Sequence, residues 1–348
     1  MTERRKIRWL IAHFPQQLFI RTAKAFAHEL EKICPNQFEI EILTMDQYVD
    51  KYDKLHEFKI VPPAIAGLDG KKETRDDYTE TDTWKDATVK WKILFEALGN
   101  GDFELSQTQI NQIGFHLDKN YHAIDLPFLF NDHDHVTRVL DGAIGDNLSA
   151  QLAEKTNIRG LAFTYSGGYR VIGSHQKITN LTELAKTKLL THTAHSNRLF
   201  EGVGADSVRK FNLNTDQVAD IAMNENTSIE TTYLRFSGRH VYKTEHSMFT
   251  TSILTGNKFW ASLTEQQQQA FALVAKKVAK IERRWSLQDA KKYEDQALAN
   301  GVEIVAINDQ DRVELQQAAA KVYEQLESLE IDPVLVQAIV AQGHNQVH

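Results

Sequence analysis

KIRWLIAHFPQQLFIRTAKAFAHELEKICPNQFEIEIL, residues 6–43, sets two apolar runs on either side of a helical period. Residues 7–12 make a run of strand length, and Phe38, Ile40 and Ile42 alternate with glutamates, the period-two pattern of a half-buried strand. Between them Phe19, Ala23, Phe26, Leu30 and Ile33 recur at fours and threes, which places them on one side of a helix. Pro15 stands near its start, where a missing N–H is tolerated. Strand, helix and strand in this order predict a βαβ unit, with a parallel pair and a right-handed crossover.

Outward from this unit the rhythm breaks over residues 55–83, where Pro, Gly and dense charge carry no sustained period; an exposed insertion is expected there. A helix over residues 84–98 follows, stopped by Gly99 and the Asn100-Gly101 pair, and residues 103–110 suit a strand. GLAFTY (160–165), a Gly167-Gly168 turn and YRVIG (169–173) read as strand, turn and strand, and short elements alternate to about residue 260. Residues 262–300 then carry Phe271, Val274, Val278, Ile281 and Trp285 on one stripe, with a candidate Ser262–Glu265 capping box in front and Gly301 behind. Such a helix runs about 50 Å, longer than one small lobe is wide, and is expected to bridge two.

Size supports two lobes: 348 residues, 42% of them apolar, exceed one compact core. A net charge of -7 with acids and bases intermixed contains no basic tract for nucleic acid. The single cysteine, Cys34, cannot pair within the chain and reads as a small buried apolar side chain. The apolar stretch before His13 and Pro15 is too short for a signal core or a membrane span. The protein is therefore expected either in the cytoplasm, if Met1 is the native start, or in the periplasm with its signal peptide replaced by Met1.

Catalytic and metal motifs fail one by one. His133, Asp134, His135 and Asp141 form the densest ligand cluster, yet histidines at i and i+2 face different sides of a helix. His192 and His195 share a helix face but lack a carboxylate to complete a set, and neither HExxH nor CxxC occurs. Gly142–Gly145 and Gly167-Gly168 match neither phosphate-binding pattern, and Thr164-Tyr165-Ser166-Gly167-Gly168 lacks the first glycine of a nucleophile elbow. The glutamine run 266–269 reads as solvated first turns of the long helix. No cofactor, no metal and no catalytic group are expected.

Ile124-Asp125-Leu126-Pro127-Phe128-Leu129-Phe130, followed by Asn131-Asp132-His133-Asp134-His135 and Val139-Leu140-Asp141-Gly142, resembles a passage of the substrate-binding proteins of tripartite ATP-independent periplasmic (TRAP) transporters, the DctP-like family. Gly168-Tyr169-Arg170-Val171-Ile172 resembles the family's strand after the hinge, residues 179–184 its following turn, and residues 202–205 a helix end. Lys243-Thr244-Glu245-His246 resembles its crossing strand and residues 257–263 its entry to the long helix. The matches keep their order across most of residues 5–310. The resemblance implies an α/β fold of two periplasmic-binding-protein-like lobes with hinge strands, one long helix spanning both, and a ligand in the cleft between them. Residues 1–126 with about 220–252 are expected as one lobe, 127–219 with about 253–262 as the other, 263–300 as the bridging helix, and 301–348 as a segment packed on the lobes. The implied function is an extracytoplasmic receptor, not an enzyme, which hands a small molecule to TRAP-type membrane subunits and works as a monomer. A receptor of the same fold that reports ligand occupancy to a signalling partner is the alternative.

The family's usual carboxylate clamp is an arginine, whose planar guanidinium can make two parallel hydrogen bonds. Here the corresponding stretch runs Glu183-Leu184-Ala185-Lys186-Thr187-Lys188-Leu189-Leu190-Thr191, and the arginine position falls on Leu190. Arg170 matches a second basic position that the resemblance implies in acid binding; a hinge salt bridge is its structural alternative. The loop 225–231 aligns with the family's ligand-touching loop and places Glu230 at the cleft. Loss of an arginine with gain of an acid favours a neutral, zwitterionic or cationic ligand over a simple dicarboxylate. Phe14, Tyr165, Tyr169, Leu190 and Tyr233 would form an apolar wall, and Thr193 and Leu213 complete the candidate ligand-binding set.

Overall fold

The computed structural model describes residues 3–12, 16–55, 64–66, 72–74, 84–174, 176–191, 193–209, 223–227 and 240–343. It opens on the expected unit: β1 (Arg5–Ile11), α1 (Gln16–Ile33) and β2 (Phe38–Thr44), with β1 and β2 parallel from Arg5 opposite Phe38 to Ile11 opposite Thr44. Next come α2 (Met45–Tyr52), β3 (Ala64–Ala66), β4 (Lys72–Thr74), α3 (Trp84–Asn100), β5 (Leu105–Gln109), α4 (Ile110–His116) and a 3-10 turn (Lys119–Asp125). The expected insertion thus contains an antiparallel β3–β4 pair among its described residues. α5 (His133–Leu140) and α6 (Ala143–Lys155) lead to β6 (Ile158–Tyr169), whose pairing decides the architecture.

β6 runs antiparallel to β12 (Met248–Gly256) along nearly its whole length, with β7 (Val171–Ser174), α7 (Leu181–Leu184), β8 (Lys188–Thr191), α8 (Ala194–Glu201), β9 (Asp206–Arg209), β10 (Met223–Thr227) and β11 (His240–Lys243) between them in the chain. The first sheet has the order β2-β1-β5-β12-β6. The second, β13-β11-β7-β10-β8-β9, is closed by β13 (Glu303–Ala306), which follows α9 (Asn257–Ala261) and α10 (Glu265–Ala299). α11 (Asp309–Tyr323) and α12 (Pro333–Gly343) end the described chain.

The sheets divide the chain elsewhere than the sequence reading did. Residues 127–169 and 253–262 belong with the first sheet, and the first lobe returns at Met248 rather than near residue 220. The physical reason is the ladder: β6 and β12 exchange backbone hydrogen bonds over most of their length, and a strand so paired cannot sit in the other lobe. The lobes join at 169–170, at 247–248 and along α10. After packing α11 on α8 in the second lobe, the C-terminal segment recrosses to lay α12 against α5 and α6 in the first.

At the crossing, two non-glycine residues hold left-handed backbone, Phe128 (φ 54°) and Glu245 (φ 48°), and the Phe128 N–H donates to His246 O at 2.7 Å. Such conformations persist only where surrounding bonds over-determine them.

α10 is the 35-residue bridge, about 52 Å long. Phe271, Val274 and Val278 are buried against α1 and the first sheet as the stripe predicts. Its cap is Thr264, not Ser262: Thr264 Oγ1 accepts from Gln267 N (3.2 Å) while Gln267 Oε1 accepts from Thr264 N (3.0 Å). Ser262 is occupied earlier, donating to Phe259 O at 2.6 Å and accepting from Arg5 Nη2 at 2.6 Å. A second apolar core, on the other side of the first sheet, runs from Leu94, Phe103 and Phe163 through Leu126 and Leu129 to Leu184, Leu199 and Leu315, so it passes unbroken from lobe to lobe.

Candidate functional site

The first lobe hands the chain to the second at a bulge. Tyr169 pairs with Met248 and Tyr165 with Thr250, so β6 carries extra residues between these registers. The surplus is absorbed at Gly167 (φ 90°) and Gly168 (φ 81°), a backbone that a side chain would strain. Tyr165 and Tyr169 emerge on the same side, each ring 5.6 Å from the imidazole of His133 on α5, with the Tyr165 hydroxyl 3.4 Å from His133 Nδ1. Burial lowers the His133 pKa and raises those of both phenols. Tyr169 also lines a groove of about 390 Å³ behind the hinge, with Phe128, Glu245, Arg312 and Gln316.

Arg170, the next residue of an extended chain, points the other way. Its N–H donates to Ser247 O at 2.8 Å, tying the two hinge strands, and its side chain is 2% exposed. Asp125, last residue of the 3-10 turn, accepts from Nε (3.2 Å) and from Nη2 (3.2 and 3.4 Å). The guanidinium carbon lies 4.1 Å from the centre of the Phe249 ring, a cation–π contact. Nη1 is left buried without a hydrogen-bond partner among the described residues.

A second nitrogen converges on the same carboxylate. His195, in the first turn of α8, brings Nε2 to 3.6 Å from Asp125 Oδ2, beyond hydrogen-bond length, and this atom too is buried and unpartnered among the described residues. The His195 ring meets His122 edge-on at 5.7 Å. A first-lobe carboxylate, a hinge guanidinium and a second-lobe imidazole therefore meet in one buried cluster.

Leu190 and Thr193 belong to the connection that delivers His195. Leu190, in β8 beside Val208 and Asn224, is buried, but while Leu189 enters the apolar core Leu190 takes the opposite face of the sheet. Thr193 caps α8, its Oγ1 accepting from Ser196 N at 3.2 Å. Of the other candidates, Tyr165 and Tyr169 turn toward His133 of α5, since residues four apart in a strand share a face and Arg170, one residue on, takes the other. Phe14, Leu213, Glu230 and Tyr233, like His192, lie outside the described residues.

The candidate ligand-binding set read from the sequence did not include Asp125, His195 or Phe249, the groups that the structure gathers around Arg170. Asp125 carried a usable signal: a lone acid inside the apolar run Ile124–Phe130 needs a buried partner. Beneath the hinge a further polar group is buried in the first lobe. Glu282 of α10 accepts from Tyr165 N (2.9 Å) and, more weakly, from Gln107 Nε2 (3.4 Å), and burial pushes its pKa up to about 8. Among the described residues no three His, Cys, Asp or Glu side chains are placed to hold a metal; His135 is spent on Ile339 O, 2.8 Å from its Nε2.

With this geometry in view, comparison with known proteins is informative. The sequence profile of the bacterial extracellular solute-binding proteins, family 7 (DctP), matches residues 89–329. An uncharacterised protein of Haemophilus influenzae is 38% identical over 76 residues, 22% of this chain and 23% of that one. The C4-dicarboxylate-binding protein DctB of Bacillus subtilis is 23% identical over 243 residues, 67% of this chain and 68% of its own length. The chain therefore spans under a quarter of the first relative. Among solved structures, the sugar acid binding protein of Advenella mimigardefordensis in complex with galactonate superposes with a TM-score of 0.75 at 18% identity, covering 98% of both chains.

Proposed function

Because this chain belongs to family 7 of the bacterial extracellular solute-binding proteins, we propose that it captures a small organic molecule between its two lobes, outside the cytoplasmic membrane, and delivers it as a monomer to the membrane subunits of a TRAP-type transporter. The observation that carries this reading is the buried cluster at the hinge: Asp125, Arg170 and His195 come from the first lobe, the crossing and the second lobe, and two of their nitrogens lack partners among the described residues. Buried donors without acceptors are costly, and a ligand oxygen supplies what is missing. Closure then follows from linkage, since a ligand that touches both lobes only when they meet favours the closed state. No helix among the described residues is long and apolar enough to cross a membrane, so translocation would fall to the partner subunits.

The ligand is not a simple dicarboxylate. Arg170 already faces Asp125, and Leu190 stands where the resemblance expects a second guanidinium, so two buried carboxylates would lack matching cations. A thermal-shift panel of carboxylates, amines, amino-acid derivatives, polyols and aromatic acids tests the reading. Stabilisation by at least one neutral or singly charged compound, with dicarboxylates inert, is the expected outcome; a strong response to dicarboxylates would show that the clamp lies elsewhere. Leu190→Arg, which would bury a new charge in the cleft, should abolish the response to the native ligand, and unchanged binding would place Leu190 outside the cleft.

A further inference from the structure

Three parts of the chain build the groove of about 390 Å³ behind the hinge. The first lobe supplies Phe128 and Leu129, the crossing strand Glu245 and Met248, and α11 of the second lobe Arg312 and Gln316. Leu129 and Met248 are buried, so the floor is apolar. At the mouth the Glu245 carboxylate and the Arg312 guanidinium lie 3.6 Å apart, beyond hydrogen-bond length, and neither side chain is hydrogen-bonded to another described group. Lys243 stands 3.7 Å from the same carboxylate but gives its hydrogen bonds to Glu294, at 3.2 and 3.3 Å. The two left-handed non-glycine residues of the crossing, Phe128 and Glu245, both line this groove, and backbone strain of that kind gathers where a ligand is held. We propose that the groove is a second binding site, separate from the interlobe cleft, for an α-amino acid with a large apolar side chain, whose ammonium meets Glu245 and whose carboxylate meets Arg312.

Charge selects the class first. A lone anion drawn to Arg312 would also face Glu245, and a lone cation drawn to Glu245 would also face Arg312, whereas a zwitterion with both charges on one carbon answers the two side by side. The Gln316 amide, one turn further along α11, can donate to the same ligand carboxylate. Behind the charged mouth, Phe128, Leu129 and the Met248 thioether offer a surface that fits a branched or aromatic side chain. The volume lies within the usual range of small-molecule sites and leaves room for such a residue. Because Phe128 belongs to the first lobe and Arg312 to the second, the occupant's contacts change as the lobes turn, and the amino acid would favour one hinge angle over the others. The site stands on the groove's own chemistry and does not require the reading of the cleft.

The test measures binding of L-leucine, L-phenylalanine, N-acetyl-L-phenylalanine and L-phenylalaninamide by calorimetry to wild type, Arg312→Gln, Glu245→Gln and Leu190→Arg. At least one of the two free amino acids should bind wild type, and the two blocked compounds, each lacking one charge, should bind about tenfold more weakly or worse. Arg312→Gln and Glu245→Gln should each weaken the free amino acid by a similar factor while leaving the ligand-free urea midpoint close to wild type, and Glu245→Gln should narrow the preference for L-phenylalanine over its acetylated form. Leu190→Arg, on the cleft side, should bind as wild type does. No binding of either free amino acid, or undiminished binding by both groove variants, overturns the proposal and leaves the receptor reading intact. Binding that survives both groove variants but is lost in Leu190→Arg makes the amino acid a cleft ligand, which overturns the second site and supports the receptor.

Discussion

Glu282 sits in α10 with no exposed surface, its carboxyl accepting from the Tyr165 N–H and facing the Gln107 amide. Burial disfavours the charged form more than these donors favour it, which is why its pKa rises to about 8 from a usual value of 4.5. Between those two values the folded protein keeps a proton that the unfolded chain has released. The folded state therefore binds more protons across that window, and stability falls as pH rises from about 4.5 to about 8, by an amount on the order of a few kcal/mol. Glu282→Gln keeps an oxygen acceptor and removes the ionisable group. Urea denaturation should show the variant close to wild type at pH 5 and more stable at pH 8; a wild-type slope retained in the variant would mean that another group sets it. Arg170 and Asp125 obey the opposite logic. Each leaves water at a cost that the other's charge and hydrogen bonds offset, so this pair confers position more than stability.

At the scale of elements, α10 is held by an aromatic cluster rather than by its own propensity. Phe271 is fully buried, with ring centres 5.6 Å from Phe26, 5.2 Å from Phe38 and 5.7 Å from Phe259, and Trp9 packs on Phe26 at 5.2 Å. The three rings that meet Phe271 come from α1, β2 and α9, so one residue of the bridging helix fastens three elements of the first lobe directly and reaches β1 through Phe26. Nearer the hinge, Arg21 of α1 lies 4.5 Å over the Trp285 ring and 2.6 Å from Asp289, which holds the next turns of α10 more loosely at the surface. Phe271→Ala should cost about 3–5 kcal/mol by urea denaturation, the transfer loss together with the cavity left among rings that cannot collapse around it. A loss under about 1 kcal/mol would show that the cluster repacks.

For the molecule as a whole, the two lobes share an apolar core along one side and meet across buried polar groups on the other. Chain crossings at 169–170 and 247–248, the length of α10 and the return of α12 to the first lobe tie the two lobes together at several points. Small-angle scattering should show a smaller radius of gyration once a stabilising ligand is added. Wild-type dimensions that do not change with saturating ligand would count against closure.

Periodicity and local chemistry were enough to read β1, α1 and β2, the stripe of α10 and the resemblance to a two-lobed receptor, because each depends on residues close together in the chain. The leucine at position 190, where the resemblance expects an arginine, is read from a short stretch for the same reason. The lobe boundaries were not, since whether β6 joins the first or the second sheet depends on a ladder with β12, and no local pattern states a strand's partner. That Tyr165 and Tyr169 both meet His133 depends on which helix covers that face of β6, and no local pattern states it. Asp125 and Arg170 stand 45 positions apart and His195 lies further along still, so their meeting is a product of tertiary packing. Local sequence determined which groups this protein carries and how its elements begin; the long-range ladders and the shared core decided which of those groups face one another, because a buried charge can be placed only where the whole fold supplies its partner.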